Sequence, residues 1–275
     1  MCEISEATTI EKLENKYLNK FYHLLKYAED EILKGFGTKE KIKSDWKDCW
    51  AEANKGDFSV GAERIIYSLI NGKCTGQPNS CPVGSDLFFE VDDAFIHIDL
   101  KTVCASSTAV SKKGKLTGGN IGDFNTSIFV GMNQNSYSTT YTPRGSTEKR
   151  QYKGFLPVEY TVKENDTVKK KYCLTYFISV LYEYEHEEFN TLCINISCMP
   201  NGKLNSIYKS NPIRAGKNPD KARFNFYKCY KFTQLENQPK RMKIIYINST
   251  KIEEQAIYKK KLKFLLDLSK ENVYE

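Results

Sequence analysis

The chain has 275 residues, 40% hydrophobic and 27% charged, which is the composition of a folded protein with a sizeable core. Its formal net charge is +7, and it has neither an apolar run of about eighteen residues nor an apolar N-terminal stretch. A membrane span and a signal peptide are therefore not predicted. Nine irregularly spaced cysteines and three histidines argue against a disulfide framework or a zinc site. They indicate reduced thiols in a cytoplasmic protein.

The first part of the chain, about residues 8–71, is predicted to be helical. Apolar residues recur at helical spacing over residues 8–34, where Thr8 with Glu11 resembles a capping box and Gly35 a stop. Further helices are predicted over residues 40–53 and 59–70. These helices precede a region of different character.

The middle of the chain is predicted to be mostly β. A hairpin over residues 85–103 is followed by a polar, glycine-punctuated stretch over 112–153, and strands are predicted at 172–183, 190–199 and 243–248. An amphipathic helix over roughly 250–271 closes the chain. This order predicts a single α/β (mixed α+β) domain spanning residues 1–275, with a central mixed sheet flanked by helices.

The hairpin "SDLFFEVDDAFIHIDLKT" carries charged residues where burial would favour apolar ones. Strand alternation puts Ile96, Ile98 and Leu100 on one face and His97, Asp99 and Lys101 on the other. An antiparallel pairing would bring Asp86 toward Asp99 and Lys101. Two such carboxylates suit a hard divalent cation, and a neighbouring lysine can stabilise charge on a phosphate. His97 is expected to be a packed residue, and Glu90, Asp92 and Asp93 are assigned mostly to the turn.

This pattern resembles the PD-(D/E)XK nuclease motif of many type II restriction endonucleases. The resemblance covers roughly residues 57–104 and implies that Asp86 and Asp99 are the two acids, that both hold Mg²⁺, and that Lys101 is the catalytic lysine. Glu63, on the preceding helix, corresponds to the additional catalytic acid that many members carry. Ser85 stands where the motif has proline.

Positive charge is concentrated late in the chain, as expected of a polyanion-binding surface. Residues 200–243 contain eleven Lys and Arg against two acids, so that 11 − 2 = +9. Arginine and amide side chains can read base edges or phosphates. The predicted DNA-binding residues, which lie in segments 112–153 and 200–243, are Asn120, Asn125, Asn133, Gln134, Asn135, Arg144, Arg150, Arg214, Arg223 and Arg241.

The sequence thus predicts a cytoplasmic, Mg²⁺-dependent, sequence-specific endonuclease of double-stranded DNA that resembles a type II restriction enzyme. A palindromic target would favour a homodimer, and the resemblance implies a companion DNA methyltransferase. Two alternatives stay open at this point. One is a structure-selective repair nuclease on the same fold, and the other is a non-catalytic nucleic-acid-binding protein with a structural hairpin.

Overall fold

The computed structural model describes fourteen stretches of the chain, which contain the helices and strands below. They are residues 2–45, 57–73, 87–105, 128–130, 138–141, 147–148, 150–153, 159–164, 166–185, 188–199, 201, 214–215, 222–224 and 241–271. The helices are α1 (Cys2–Tyr27), α2 (Glu29–Asp45), α3 (Asp57–Lys73), α4 (Ser249–Glu254) and α5 (Ala256–Glu271). The strands are β1 (Leu87–Glu90), β2 (Ala94–Cys104), β3 (Ile128–Val130), β4 (Ser138–Tyr141), β5 (Arg150–Lys153), β6 (Glu159–Glu164), β7 (Thr167–Glu185), β8 (Glu188–Met199), β9 (Arg214–Ala215), β10 (Ala222–Phe224) and β11 (Met242–Ile247).

The central sheet has the order β1-β2-β7-β8-β11, and β6 pairs with β7. The β2–β7 pair is parallel and the other pairs of this sheet are antiparallel. A parallel pair requires a long crossover, and here the chain between β2 and β7 supplies β3, β4, β5 and β6. The prediction of a central mixed sheet is confirmed. Two smaller sheets, β3-β10-β9 and β4-β5, are also described.

Helices cover both faces of the central sheet. On one face, called here the α1–α3 face, residues of α1, α2 and α3 form a core with the sheet that includes Phe21, Phe36, Ile66, Ile98 and Tyr176. On the opposite face, called the α5 face, α4 and α5 pack on a second core that includes Phe177, Leu181, Met242, Leu262 and Leu265. Fully burying one such side chain contributes about 1.5–3 kcal/mol, so each face supplies a substantial part of the folding free energy.

The helix boundaries differ from the sequence prediction at two positions. Thr8 is inside α1, which begins at Cys2, so it is not an N-cap. The break between the first two helices falls at Ala28, and α2 continues through Gly35 to Asp45. A Cβ atom on Gly35 would lie 3.2 Å from Ile65 Cγ2, so this glycine allows α2 to approach α3 closely rather than ending a helix. Residues 46–53 of the predicted second helix are outside the described residues.

The remaining element predictions agree well with the structure. The hairpin is formed by β1 and β2, the predicted strands correspond to β7, β8 and β11, and the third predicted helix lies within α3. The closing helix is interrupted at Gln255, between α4 and α5. None of the helices in these described stretches is long and apolar enough to cross a membrane.

Candidate active site

Strand β2 brings Asp99 and Lys101 together. The alternate residues Ile96, Ile98 and Leu100 are buried in the α1–α3 core, which directs the intervening side chains to the α5 face. There the Lys101 ammonium donates a hydrogen bond to the Asp99 carboxylate. The Asp99 side chain is 6% exposed and that of Lys101 24% exposed. The pair is therefore anchored in the sheet, with the lysine reaching toward solvent.

The register of the hairpin is given by the pairing of β1 with β2. Leu87 is opposite Ile98, and Glu90 is opposite Phe95. The Val91 amide donates to the Ala94 carbonyl at 3.0 Å, which closes the turn. Asp86 directly precedes Leu87 in the chain and is outside the described residues.

Two of the acidic residues that the sequence assigned to the turn have structural partners, and one of them, Glu90, is the last residue of β1. Asp93 accepts hydrogen bonds from Lys16 Nζ at 2.6 Å and from the Tyr17 hydroxyl at 2.5 Å. Glu90 accepts a hydrogen bond from Lys171 Nζ at 2.8 Å. These contacts attach the hairpin to α1 and β7.

His97 is a packed residue, as expected. Its ring stacks on Phe88 with centroids 4.9 Å apart, and the residue is 1% exposed. Within the described part of the chain, neither ring nitrogen has a hydrogen-bond partner. Burial lowers the pKa of His97 to about 4, so the imidazole is neutral near pH 7.

A polar row that the sequence analysis missed continues from Lys101 across the sheet. Lys101 is the register partner of Ser179 in β7, and Ser179 is the partner of Asn195 in β8. Both partners are buried, at 4% and 0% exposure. In the sequence, Ser179 and Asn195 are recognisable as polar residues within otherwise apolar strands. That they lie beside Lys101 becomes known only with the strand order.

The residues present suit a hard divalent ion only in part. The Asp99 carboxylate has the oxygen donors that Mg²⁺ prefers. No group of three or more Asp, Glu, His or Cys side chains that could hold a metal occurs among the residues that the structure describes. Glu63 is a partly buried residue of α3, which packs on the α1–α3 face through Ala62, Ile66 and Ile70. The predicted second ligand, Asp86, would have to complete the site.

Of the predicted DNA-binding residues, three are in short strands, one is buried, and six are outside the described residues. Arg150 is in β5, and Arg214 in β9 is opposite Arg223 in β10. Arg241 is 4% exposed, and its Nη2 is 2.7 Å from Glu14 Oε2. A guanidinium that is buried and ion-paired in this way does not face DNA, which argues against the predicted contact. The other predicted residues are outside the described ones: Asn120, Asn125, Asn133, Gln134, Asn135 and Arg144.

A hairpin with an Asp-x-Lys pair on its second strand, a mixed sheet and helices on both faces define a protein with the restriction-endonuclease fold. Two solved structures share this architecture. The restriction endonuclease BglI bound to its DNA recognition sequence aligns with a TM-score of 0.62 and 15% identity, covering 89% of this chain and 93% of that one. The tetrameric restriction endonuclease SfiI bound to cognate DNA aligns with a TM-score of 0.56 and 15% identity, covering 80% of each chain. At this identity the likeness concerns the fold alone.

The family is given by the sequence itself. Residues 6–187 match the N-terminal domain of the type II restriction enzyme MwoI, and residues 191–247 match its central domain. The chain therefore belongs to the MwoI type II restriction enzyme family, and it is a sequence-specific double-stranded DNA endonuclease. The predicted resemblance is confirmed, and the family implies a divalent metal cofactor. No curated protein sequence matches the chain.

Proposed function

We propose that the enzyme hydrolyses DNA phosphodiester bonds at a site formed by Asp86, Asp99 and Lys101. Glu63 was predicted as a further acid, but α3 packs on the opposite face of the sheet from Asp99 and Lys101, which argues against a place for Glu63 in this site. The observation that carries this proposal is the hydrogen bond between Lys101 and the buried Asp99 carboxylate on β2. The register of Leu87 with Ile98 supports a position of Asp86 opposite Asp99, because in an antiparallel pair the residue before Leu87 corresponds to the residue after Ile98.

Each residue has a distinct role in the proposed mechanism. Asp86 and Asp99 would hold Mg²⁺, which when bound supplies Lewis-acid stabilisation of the phosphate. Lys101 holds the Asp99 carboxylate in place, orients the attacking water and opposes the negative charge that develops on the scissile phosphate. The burial of Asp99 strengthens these interactions because water screens them less there.

The first experiment is a digest of methylation-free phage DNA with purified enzyme and Mg²⁺. Discrete fragments are expected, and they should disappear with EDTA and with the Asp99→Ala variant. Asp93→Asn is the matched control, since it alters a hairpin carboxylate assigned to the turn, and it should give the wild-type fragments. Cleavage by Asp99→Ala at the wild-type rate would refute the proposed site.

We further propose a DNA surface formed by the basic segments 112–153 and 200–243. Its predicted residues are the amides Asn120, Asn125, Asn133, Gln134 and Asn135 with Arg144, Arg150, Arg214 and Arg223. Placement of Arg214 opposite Arg223 supports it, because two positive charges side by side suit a phosphate backbone. Replacing Arg223 with alanine should weaken DNA binding and lower the slope of log K against log salt by about 1. An unchanged slope would remove Arg223 from the surface.

The biological setting completes the proposal. We propose a cytoplasmic homodimer that acts beside a DNA methyltransferase of the same specificity. Cys104, Cys173, Cys193 and Cys198 are not in disulfides, which suits a reducing compartment. We also propose a single folded unit, because β7 in the first matched region pairs along most of its length with β8 in the second.

A further inference from the structure

A buried ion pair joins α1 to the two points where the chain leaves and re-enters the central sheet. β8 ends at Met199 and β11 begins at Met242, and the 39 residues between Asn201 and Arg241 are called here the 202–240 segment, of which the structure describes 214–215 and 222–224. That segment contains nine Lys and Arg against two acids, so that 9 − 2 = +7. Asn201 and Arg241, the residues on either side of it, both contact Glu14.

The Glu14 carboxylate divides its two oxygens between the two ends of the segment. Oε1 accepts a hydrogen bond from the Asn201 amide at 2.6 Å, and Oε2 lies 2.7 Å from Arg241 Nη2. The Glu14 and Arg241 side chains are only 3% and 5% exposed. The Glu14 carboxylate therefore contacts the residues at both ends of the 202–240 segment, and so attaches them to the same turn of α1.

Further bonds make the attachment rigid. The Cys198 amide donates to the Arg241 carbonyl at 2.8 Å, and Asn201 Nδ2 donates to the Cys173 carbonyl at 2.5 Å. The Tyr176 hydroxyl, fully buried, donates to the Glu14 carbonyl at 2.9 Å. Tyr176 is also the register partner of Ile98, the residue before Asp99. The attachment is thus continuous with the strand that carries the proposed catalytic pair.

The ionic nature of this contact calls for an explanation other than stability. Removing two charges from water is costly, and a well-packed apolar pair of similar volume is often as stable or more so. What the Glu14 carboxylate adds is a fixed arrangement, because the Asn201 amide bonds to one oxygen while the Arg241 guanidinium lies against the other.

We infer that Glu14 is a positioning residue, which clamps both ends of the 202–240 segment and so sets where that segment meets DNA relative to Asp99 and Lys101. The inference rests on the proposed DNA-binding role of the segment. It assigns to α1, far in sequence from every predicted DNA contact, a part in affinity and in discrimination between cognate and altered sites.

The test compares the wild type with the double variant Glu14→Met/Arg241→Met, which replaces both charges with apolar side chains and leaves neither one buried alone. Three quantities are measured. They are the affinity for the cognate duplex found in the digest, its ratio to the affinity for a duplex with one base pair changed, and the single-turnover cleavage rate at saturating DNA. Hydrogen exchange of the Asn201 amide reports on the clamp itself. Glu29→Gln, which alters an exposed ion pair with Lys26, is the control.

We expect the double variant to melt near the wild-type temperature and to exchange the Asn201 amide faster. Its cognate affinity should fall on the order of tenfold and its discrimination should fall as well, while the cleavage rate at saturating DNA stays close to wild type. A role in stability alone would leave affinity and discrimination unchanged. If the double variant does not fold, Glu14→Gln is measured in the same way, because glutamine keeps the shape and the acceptor but loses the charge.

Two outcomes overturn the inference, and they can be distinguished. Unchanged exchange at Asn201 together with unchanged affinity would show that Glu14 does not hold the segment. Faster exchange with unchanged affinity would show that the clamp exists but that the segment has no role in DNA binding, which refutes that part of the proposed function.

Discussion

At the scale of single residues, the environment of Asp99 and Lys101 determines what each can do. Both belong to the same face of β2, but Asp99 is almost fully buried whereas a quarter of the Lys101 side chain meets solvent. A buried carboxylate is held in one place, and a partly exposed ammonium can reach a bound phosphate. This difference is consistent with the proposed roles, in which Asp99 is a fixed metal ligand and Lys101 opposes the charge on the phosphate.

Replacing Lys101 with alanine should lower the single-turnover cleavage rate by about 10²–10³-fold, because it removes a charge that opposes the one developing on the phosphate. Affinity for DNA measured without metal should change much less. Lys163→Ala is a suitable control, since Lys163 forms an exposed ion pair with Asp166 on the hairpin between β6 and β7. A Lys101→Ala enzyme that cleaves at the wild-type rate would contradict the assigned role.

Asp93 gives a pH-dependent contribution to stability. Burial alone would raise its pKa, but the hydrogen bonds from Lys16 and Tyr17 outweigh this and lower the pKa below the ordinary value. A carboxyl with a depressed folded-state pKa stabilises the fold above its unfolded pKa, and that stability is lost as the pH falls through the folded value. The free energy of unfolding of the wild type should therefore exceed that of Asp93→Asn by about 1 kcal/mol at pH 6.

This difference should shrink as the pH falls below about 4, where the unfolded aspartate begins to take up a proton. Urea unfolding of both proteins between pH 2.5 and 6 measures it. Asp166→Asn is the comparison, because it makes the same change in a side chain that is 97% exposed. A difference between wild type and Asp93→Asn that is constant across this range would exclude the proposed cause.

At the scale of elements, helix packing explains features that local sequence signals misassign. Gly35 and Gly37 are both in α2, where glycine is intrinsically unfavourable. A Cβ atom on Gly35 would press against Ile65 of α3, whereas on Gly37 it would meet nothing within 4 Å. The contact between the helices thus leaves little room for a side chain at Gly35, whereas it places no such limit on Gly37.

These two glycines form a matched pair for a stability measurement. Gly37→Ala should raise the free energy of unfolding by about 0.5–1 kcal/mol, because alanine loses less backbone entropy in a helix. Gly35→Leu should lower it, because the larger side chain would push α2 away from α3. Denaturant unfolding of both variants provides the comparison. A stabilising Gly35→Leu would show that the contact between the helices is looser than the structure indicates.

Prediction from the sequence succeeded for those elements whose structure depends on a local pattern of residues. The alternation of Ile96, Ile98 and Leu100 correctly indicated which face of β2 is buried, because strand periodicity is a local property. Gly35 was misread as a helix stop because its role depends on Ile65, thirty residues away in the chain. Arg241 was misread for a similar reason: its charge is local information, but its partner Glu14 comes from the other end of the chain.

At the scale of the whole molecule, the sheet combines segments that are distant in sequence. β2 pairs in parallel with β7, so the strand that carries the proposed catalytic pair occupies the interior of the sheet between β1 and β7. The proposed site is therefore supported on both sides by neighbouring strands, and on its opposite face by three helices. Sequence reasoning predicted the residues of the proposed site on β2 but could not predict this support, since strand order depends on contacts between distant segments.

The remaining property at this scale is the number of chains that act together. A palindromic duplex presents each strand in the same way to a two-fold symmetric pair of chains, so a homodimer places one site at each strand. SfiI, which shares the fold, is described as tetrameric, so the fold alone does not determine this number. Light scattering should give twice the mass of one chain, and a plasmid with one target should be cut as fast per target as a plasmid with two. A mass of four chains together with faster cutting of the two-target plasmid would replace the dimer with an enzyme that engages two DNA sites at once.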